Sequence, residues 1–143
     1  MKTKYIITLA SLIILLSACN NTKNAQAKDA FGNGVWELEY ISGPGITFSE
    51  LYPDKKPAIS FNTTTKLASG TNSCNGYSAK YSSEGQAISF GQPGPTTEMY
   101  CGEGEKVFLQ MMSKVNKHDF DGDGKLQLLI DDVPMMRFKK QTP

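Results

Sequence analysis

Between Val35 and Tyr40 the chain reads Val-Trp-Glu-Leu-Glu-Tyr, with Trp36, Leu38 and Tyr40 on one side of the alternation and Glu37 and Glu39 on the other. A period of two residues belongs to a strand with one buried and one wet face. Ser42-Gly-Pro-Gly45 stops it. The same grammar recurs along the chain: short runs at Ala58–Phe61, Lys66–Gly70, Gly76–Tyr81 and Ala87–Phe90. Turn chemistry separates them at Asn62-Thr-Thr-Thr65, Asn75-Gly76, Ser83-Glu-Gly85 and Gln92-Pro-Gly-Pro95. The period then changes. Val107, Met111 and Val115 recur at four-residue steps with Phe108 and Met112 beside them, which predicts one amphipathic helix over Glu103–Lys117. Two further strands, Lys125–Ile130 and Pro134–Lys139, close the chain around the turn Asp131-Asp132. Many short strands with a single helix predict a mainly β fold, a small antiparallel barrel-like meander. There is no internal repeat and no second domain.

The N-terminus carries a different kind of information. Met1-Lys-Thr-Lys4 is basic, and Tyr5–Leu16 is an apolar run of about twelve residues, short of the roughly 18–20 that a spanning helix needs. Small residues follow, as in a secretory signal. Leu16-Ser-Ala-Cys19 resembles the bacterial lipobox, which implies cleavage before Cys19 and lipidation of that residue, including a palmitate-type acyl chain. The expected organisation is therefore a signal peptide over 1–18, a lipidated and polar tether over 19–30, and one domain over 31–143. No acidic residue directly follows Cys19, which by resemblance to enterobacterial sorting favours the outer membrane, facing the periplasm. Without Lys2 and Lys4 the net charge falls to near −1. Nothing in that balance suggests nucleic acid.

With Cys19 consumed by lipid, Cys74 and Cys101 remain in an oxidising compartment, where a pair reads as a disulfide. Such a bridge would stabilise by roughly 3–4 kcal/mol in the chain-entropy view. Two buried thiols or a metal pair are the alternatives.

Several spaced motifs resemble META/HslJ-like domains. They are Trp36-x-Leu38-x-x-Ile41-x-Gly43, then Gly70-x-x-x-Cys74-Asn75-x-Tyr77-x-x-x-Tyr81, and Thr97-x-Met99-x-Cys101. Glu105-x-x-Phe108, Leu126-x-Leu128 and Arg137-Phe138 follow in order. The resemblance covers nearly all of the domain. It implies a small barrel-like fold with one helix, an address in the bacterial envelope and a loose link to stress responses, and it brings no established catalytic activity or agreed ligand; no cofactor is expected.

The remaining candidates for chemistry are few. His118 is the single histidine and is expected at the surface beside an Asp-rich turn. His118–Leu129 superficially matches a calcium loop, with Asp119, Asp121 and Asp123 at alternate places and Gly124 at the sixth. The twelfth place needs a bidentate carboxylate and holds Ile130, so a hairpin turn is expected and no metal site. Without a nucleophile motif or a catalytic set, the expected role is binding rather than catalysis. The partner would be an envelope protein or a small ligand, with the membrane reached through the lipid. The alternatives are a small hydrophobic-ligand carrier or a hydrolytic enzyme.

Overall fold

The computed structural model describes residues 31, 34–43, 45–95, 99–100 and 102–141. The expected signal peptide, Cys19 and the tether lie outside the described residues, as do Thr97 and Cys101. The chain divides into two compact units, Met1–Phe31 and Gly32–Pro143.

Nine strands form: β1 (Trp36–Ile41), β2 (Ala58–Asn62), β3 (Leu67–Thr71), β4 (Gly76–Glu84), β5 (Ala87–Phe90), β6 (Gly94–Pro95), β7 (Lys117–Phe120), β8 (Leu126–Ile130) and β9 (Val133–Lys140). Setting aside the two-residue β6, which pairs with β4, each strand pairs antiparallel with the next along the chain, and β9 returns to β1. The result is a closed eight-stranded up-and-down barrel. Closure leaves no long sheet edge to pair with another chain.

Two helices occur among the described residues of the second unit: α1 (Phe48–Leu51) and α2 (Glu103–Met112). The first was not anticipated from the alternation. It is one turn long, started by a capping box in which Thr47 and Glu50 bond reciprocally. The second is shorter than expected. Ser113 caps it, and Lys117–Phe120, expected to be helix end and turn, is strand β7. The buried face of α2 runs through Gly104, Phe108 and Met112, one step round from the Val107/Met111 stripe.

Alternation places Trp36 and Leu38, Ile59 and Phe61, Tyr77, Ala79 and Tyr81, Leu126 and Leu128, and Met136 and Phe138 inside. These side chains fill the barrel. Phe108 of α2 lies 5.4 Å from the Tyr77 ring on β4 and 6.5 Å from the Phe138 ring on β9. Those strands stand on opposite sides of the ring, so α2 pushes one aromatic across the interior. Eight strands leave a lumen just wide enough for side chains to fill. Outside, Glu39 accepts from both Lys125 (2.8 Å) and Arg137 (2.6 Å), and those bonds, the one from Lys125 foremost, hold its carboxyl below the ordinary range.

Candidate functional site

The most organised polar cluster sits where the β3–β4 loop meets α2. Asn72, Ser73, Cys74 and Asn75 make a tight connection closed by the Asn72 N–H donating to the Asn75 carbonyl at 3.0 Å. Ser73 takes a φ of +138°, a conformation that costs a non-glycine residue of order 1–3 kcal/mol and persists only when its surroundings impose it. Here the surroundings do. The Ser73 hydroxyl donates to the Lys55 carbonyl at 3.1 Å, and the side chains of Asn72 and Asn75, on either side of Ser73-Cys74, are held by hydrogen bonds of their own.

Asn75 carries most of the connection. Its Nδ2 donates to the Met99 carbonyl (2.6 Å) and to Glu105 Oε2 (2.7 Å), while its Oδ1 accepts from the Met99 N–H (2.9 Å). Asn72 Nδ2 donates to the other oxygen of the same carboxylate, Glu105 Oε1, at 2.7 Å. One carboxylate on the first turn of α2 thus joins two side-chain amides that are 0% and 2% exposed. A carboxylate accepts only, and it has an oxygen for each amide. A negative group near a helix N-terminus is also favoured by the helix dipole.

The glycine of the motif has a steric reason. Gly70 faces Ile59 on one side and Tyr77 on the other. A Cβ there would overlap the carbonyl oxygen of Ala58. The Tyr77 hydroxyl donates to that same oxygen at 3.2 Å, and burial pushes the hydroxyl's pKa well up. Gly104 plays a parallel part between the helices. A Cβ on it would overlap the Leu51 carbonyl, and its own carbonyl accepts from the Tyr52 hydroxyl at 2.9 Å.

The residues singled out in the sequence therefore divide. Asn75 meets Met99 through its side-chain amide, Gly70 pairs with Tyr77 across β3 and β4, and Trp36 stands on β1 in the core. Cys74 is disulfide-bonded, and with Cys101 outside the described residues its pairing stays a proposal. Met99 is 62% exposed and Tyr100 91%, so their loop offers its backbone inward and its side chains to solvent. Asn72 was missed. Nothing in its neighbourhood distinguishes it from a turn asparagine until α2 brings Glu105 to it.

His118 corrects the expectation of a surface histidine. It points inward from β7 at 6% exposure, with Nε2 3.0 Å from the Gly85 carbonyl and 3.3 Å from the Ser83 hydroxyl. A carbonyl only accepts, so the neutral ring carries its proton on Nε2. Burial lowers its pKa, against smaller opposing effects of the Gly85 bond and Asp119. The Asp-rich segment is a hairpin turn, as expected. Asp121 Oδ1 accepts from the N–H groups of Asp123 (3.0 Å) and Lys125 (2.9 Å), and Gly124 has φ +73°. Asp119 belongs to β7 instead. Asp131, with φ +56°, turns β8 into β9.

A closed antiparallel barrel, filled by its own side chains and sealed by a helix through an Asn–Glu–Asn junction, defines a small structural class. A META domain family model matches residues 16–142, and the chain belongs to that family. It is also similar to a solved structure described as the NMR structure of the protein from Burkholderia xenovorans, at 18% sequence identity and a TM-score of 0.61, covering 82% of this chain and 88% of that one. At that identity the likeness supports the fold alone. A comparison with curated proteins gave no match.

Proposed function

We propose that this META domain works by binding at its outer surface, as a non-catalytic module held to the bacterial envelope by lipid on Cys19. The observation that carries the reading is the filled barrel: Phe108 of α2 and the inward rings of β4 and β9 occupy the space a carried ligand would need. A hydrophobic-ligand carrier would want that lumen open. Both carboxylate oxygens of Glu105 are taken up by the amides of Asn72 and Asn75, which suits fastening rather than turnover. The anchor rests on the short apolar run ending in Leu16-Ser-Ala-Cys19. A Cys74–Cys101 bridge would add a covalent tie between the same loop and the segment entering α2. An envelope-stress role follows from the family resemblance.

Two measurements test this. Fractionation of cells making Cys19→Ser should move the protein from membrane to soluble fractions; retention equal to wild type would sink the anchor. A screen of the purified protein with esterase, peptidase and glycosidase substrates should give no turnover above background. Turnover lost on substituting a single polar residue would overturn the non-catalytic reading.

A further inference from the structure

The outer face of β1, β2 and β3 carries a cleft of about 530 Å³ that neither the core nor the Asn–Glu–Asn junction uses. Its floor consists of outward positions on β2 and β3, Ala58, Ser60, Ser69 and Thr71, with Gly70 between the last two. Its rim is the segment Asp54-Lys55-Lys56, and Glu37, Val35 and Gln141 close the far side. The strained loop supports this rim directly, since the Ser73 hydroxyl holds the Lys55 carbonyl. The size lies within the range of small-ligand sites.

Three features define what would fit. First, the charges are unevenly spent. Glu37 is taken up by Lys139 (3.2 Å) and Gln141 (2.9 Å) and also feels the charge of Lys56, whereas Asp54, Lys55 and Lys56 form no close ion pair among the described residues. Lys56 lies 5.9 Å from the Phe48 ring. Counting Lys139 at Glu37, three cations (Lys55, Lys56, Lys139) stand beside two anions (Glu37, Asp54), which leaves a net attraction for a single negative charge. A dianion would meet Asp54 and Glu37 as well. Second, the floor is small and hydroxylated. Ser60 Oγ donates to the Ser69 carbonyl at 3.0 Å, leaving the Ser69 hydroxyl with only a long 3.5 Å contact. Third, Thr71 lines the cleft, yet its Oγ1 is shielded from solvent and has no hydrogen-bond partner among the described residues. A sealed hydroxyl without a partner costs stability. A ligand group reaching it would supply the missing bond.

We propose that this cleft binds a small hydroxylated carboxylate of the sugar-acid class, its carboxylate at Lys55 and Lys56 and its hydroxyls on Ser69 and Thr71. This deepens the binding-module reading and rests on it. The probe is D-glucuronate, with D-glucose and inorganic phosphate as controls, titrated into the full lipidated chain in detergent by calorimetry and by amide NMR shifts.

Glucuronate should bind saturably and shift the amides of Lys55, Lys56, Ser69 and Thr71. Lys55→Ala/Lys56→Ala should weaken it by about tenfold or more, as loss of a charge-assisted contact implies, without lowering the denaturation midpoint. Thr71→Val should leave stability equal or higher, since it removes an unpaired hydroxyl, yet weaken glucuronate; a merely structural Thr71 would show no effect on binding. Glucose binding as tightly as glucuronate, phosphate binding more tightly, or affinity unchanged in the lysine variant would each overturn the assignment. No saturable glucuronate binding overturns the cleft assignment alone. Turnover in the substrate screen overturns the binding-module reading whether or not glucuronate binds.

Discussion

Replacing Glu105 by alanine should loosen the fastening of α2 by an amount that can be worked from its two bonds. Asn72 is fully buried, and its Nδ2 has Glu105 as its partner, so the variant strands a buried amide donor. Such a group costs about 1–3 kcal/mol. Asn75 keeps its Met99 bonds and loses only the charge-assisted one, worth about 1.5 kcal/mol net. Glu105 itself is half-buried, so water can enter part of the vacated space and the sum should settle near 2–3 kcal/mol. Glutamine at the same position should cost only about 1 kcal/mol. It keeps one acceptor, and Asn72, whose Oδ1 has no partner among the described residues, can turn its amide to accept from the new Nε2. The single tryptophan, Trp36, is buried on β1 and serves as the fluorescent reporter for urea unfolding. If alanine destabilises by under about 0.5 kcal/mol, or glutamine costs as much as alanine, the junction does not hold the helix in the way argued.

Other perturbations probe separate parts. His118 has a depressed folded pKa, so its contribution to stability is complete above its unfolded value of about 6.5 and is lost as pH falls below that. Urea midpoints between pH 7.5 and 5 should therefore decline in wild type and decline less in His118→Gln; parallel curves would contradict the buried neutral ring. Gly70→Ala should destabilise by about 3 kcal/mol or more, because the methyl must displace the Ala58 carbonyl and the Tyr77 hydroxyl bond with it. Thermal unfolding within about 1 °C of wild type would show that β2 and β3 have room to part. Asp121→Ala should cost about 1 kcal/mol through its two backbone bonds, and calorimetry should show calcium binding no tighter than millimolar; micromolar binding abolished by the substitution would make the turn a metal site.

The barrel strands were legible because their inward positions alternate so plainly. In Trp36-x-Leu38, Tyr77-x-Ala79-x-Tyr81 and Leu126-x-Leu128 each pattern survives as a buried stripe. β7 was not, for a physical reason. Lys117-His-Asp-Phe120 is four residues long and alternates a histidine with charges and an aromatic, while Val115 prolongs the helical period across the boundary. What ends the helix is tertiary: the Asn116 N–H bonds the Leu129 carbonyl, and its side chain exchanges two bonds with Asp131. α1 left a capping-box signature, Thr47-x-x-Glu50, but one turn is too short to show a period. The site was half legible. Gly70, Asn75, Tyr77 and Glu105 stand out as a spaced pattern, yet their meeting depends on α2 crossing back between β5 and β7. The cleft was invisible, since its lining comes from four separated stretches of chain.

The central claim is that α2 and the strands fill the barrel, which moves any working surface to the outside. Nuclear Overhauser contacts from the Phe108 ring test it most directly. The account predicts cross-peaks to both Tyr77 and Phe138, on opposite sides of the ring and 5.4 and 6.5 Å away between centroids. Contacts to one ring only, together with saturable uptake of an apolar probe that shifts Leu38, Leu128 and Met136, would show an open lumen and contradict it.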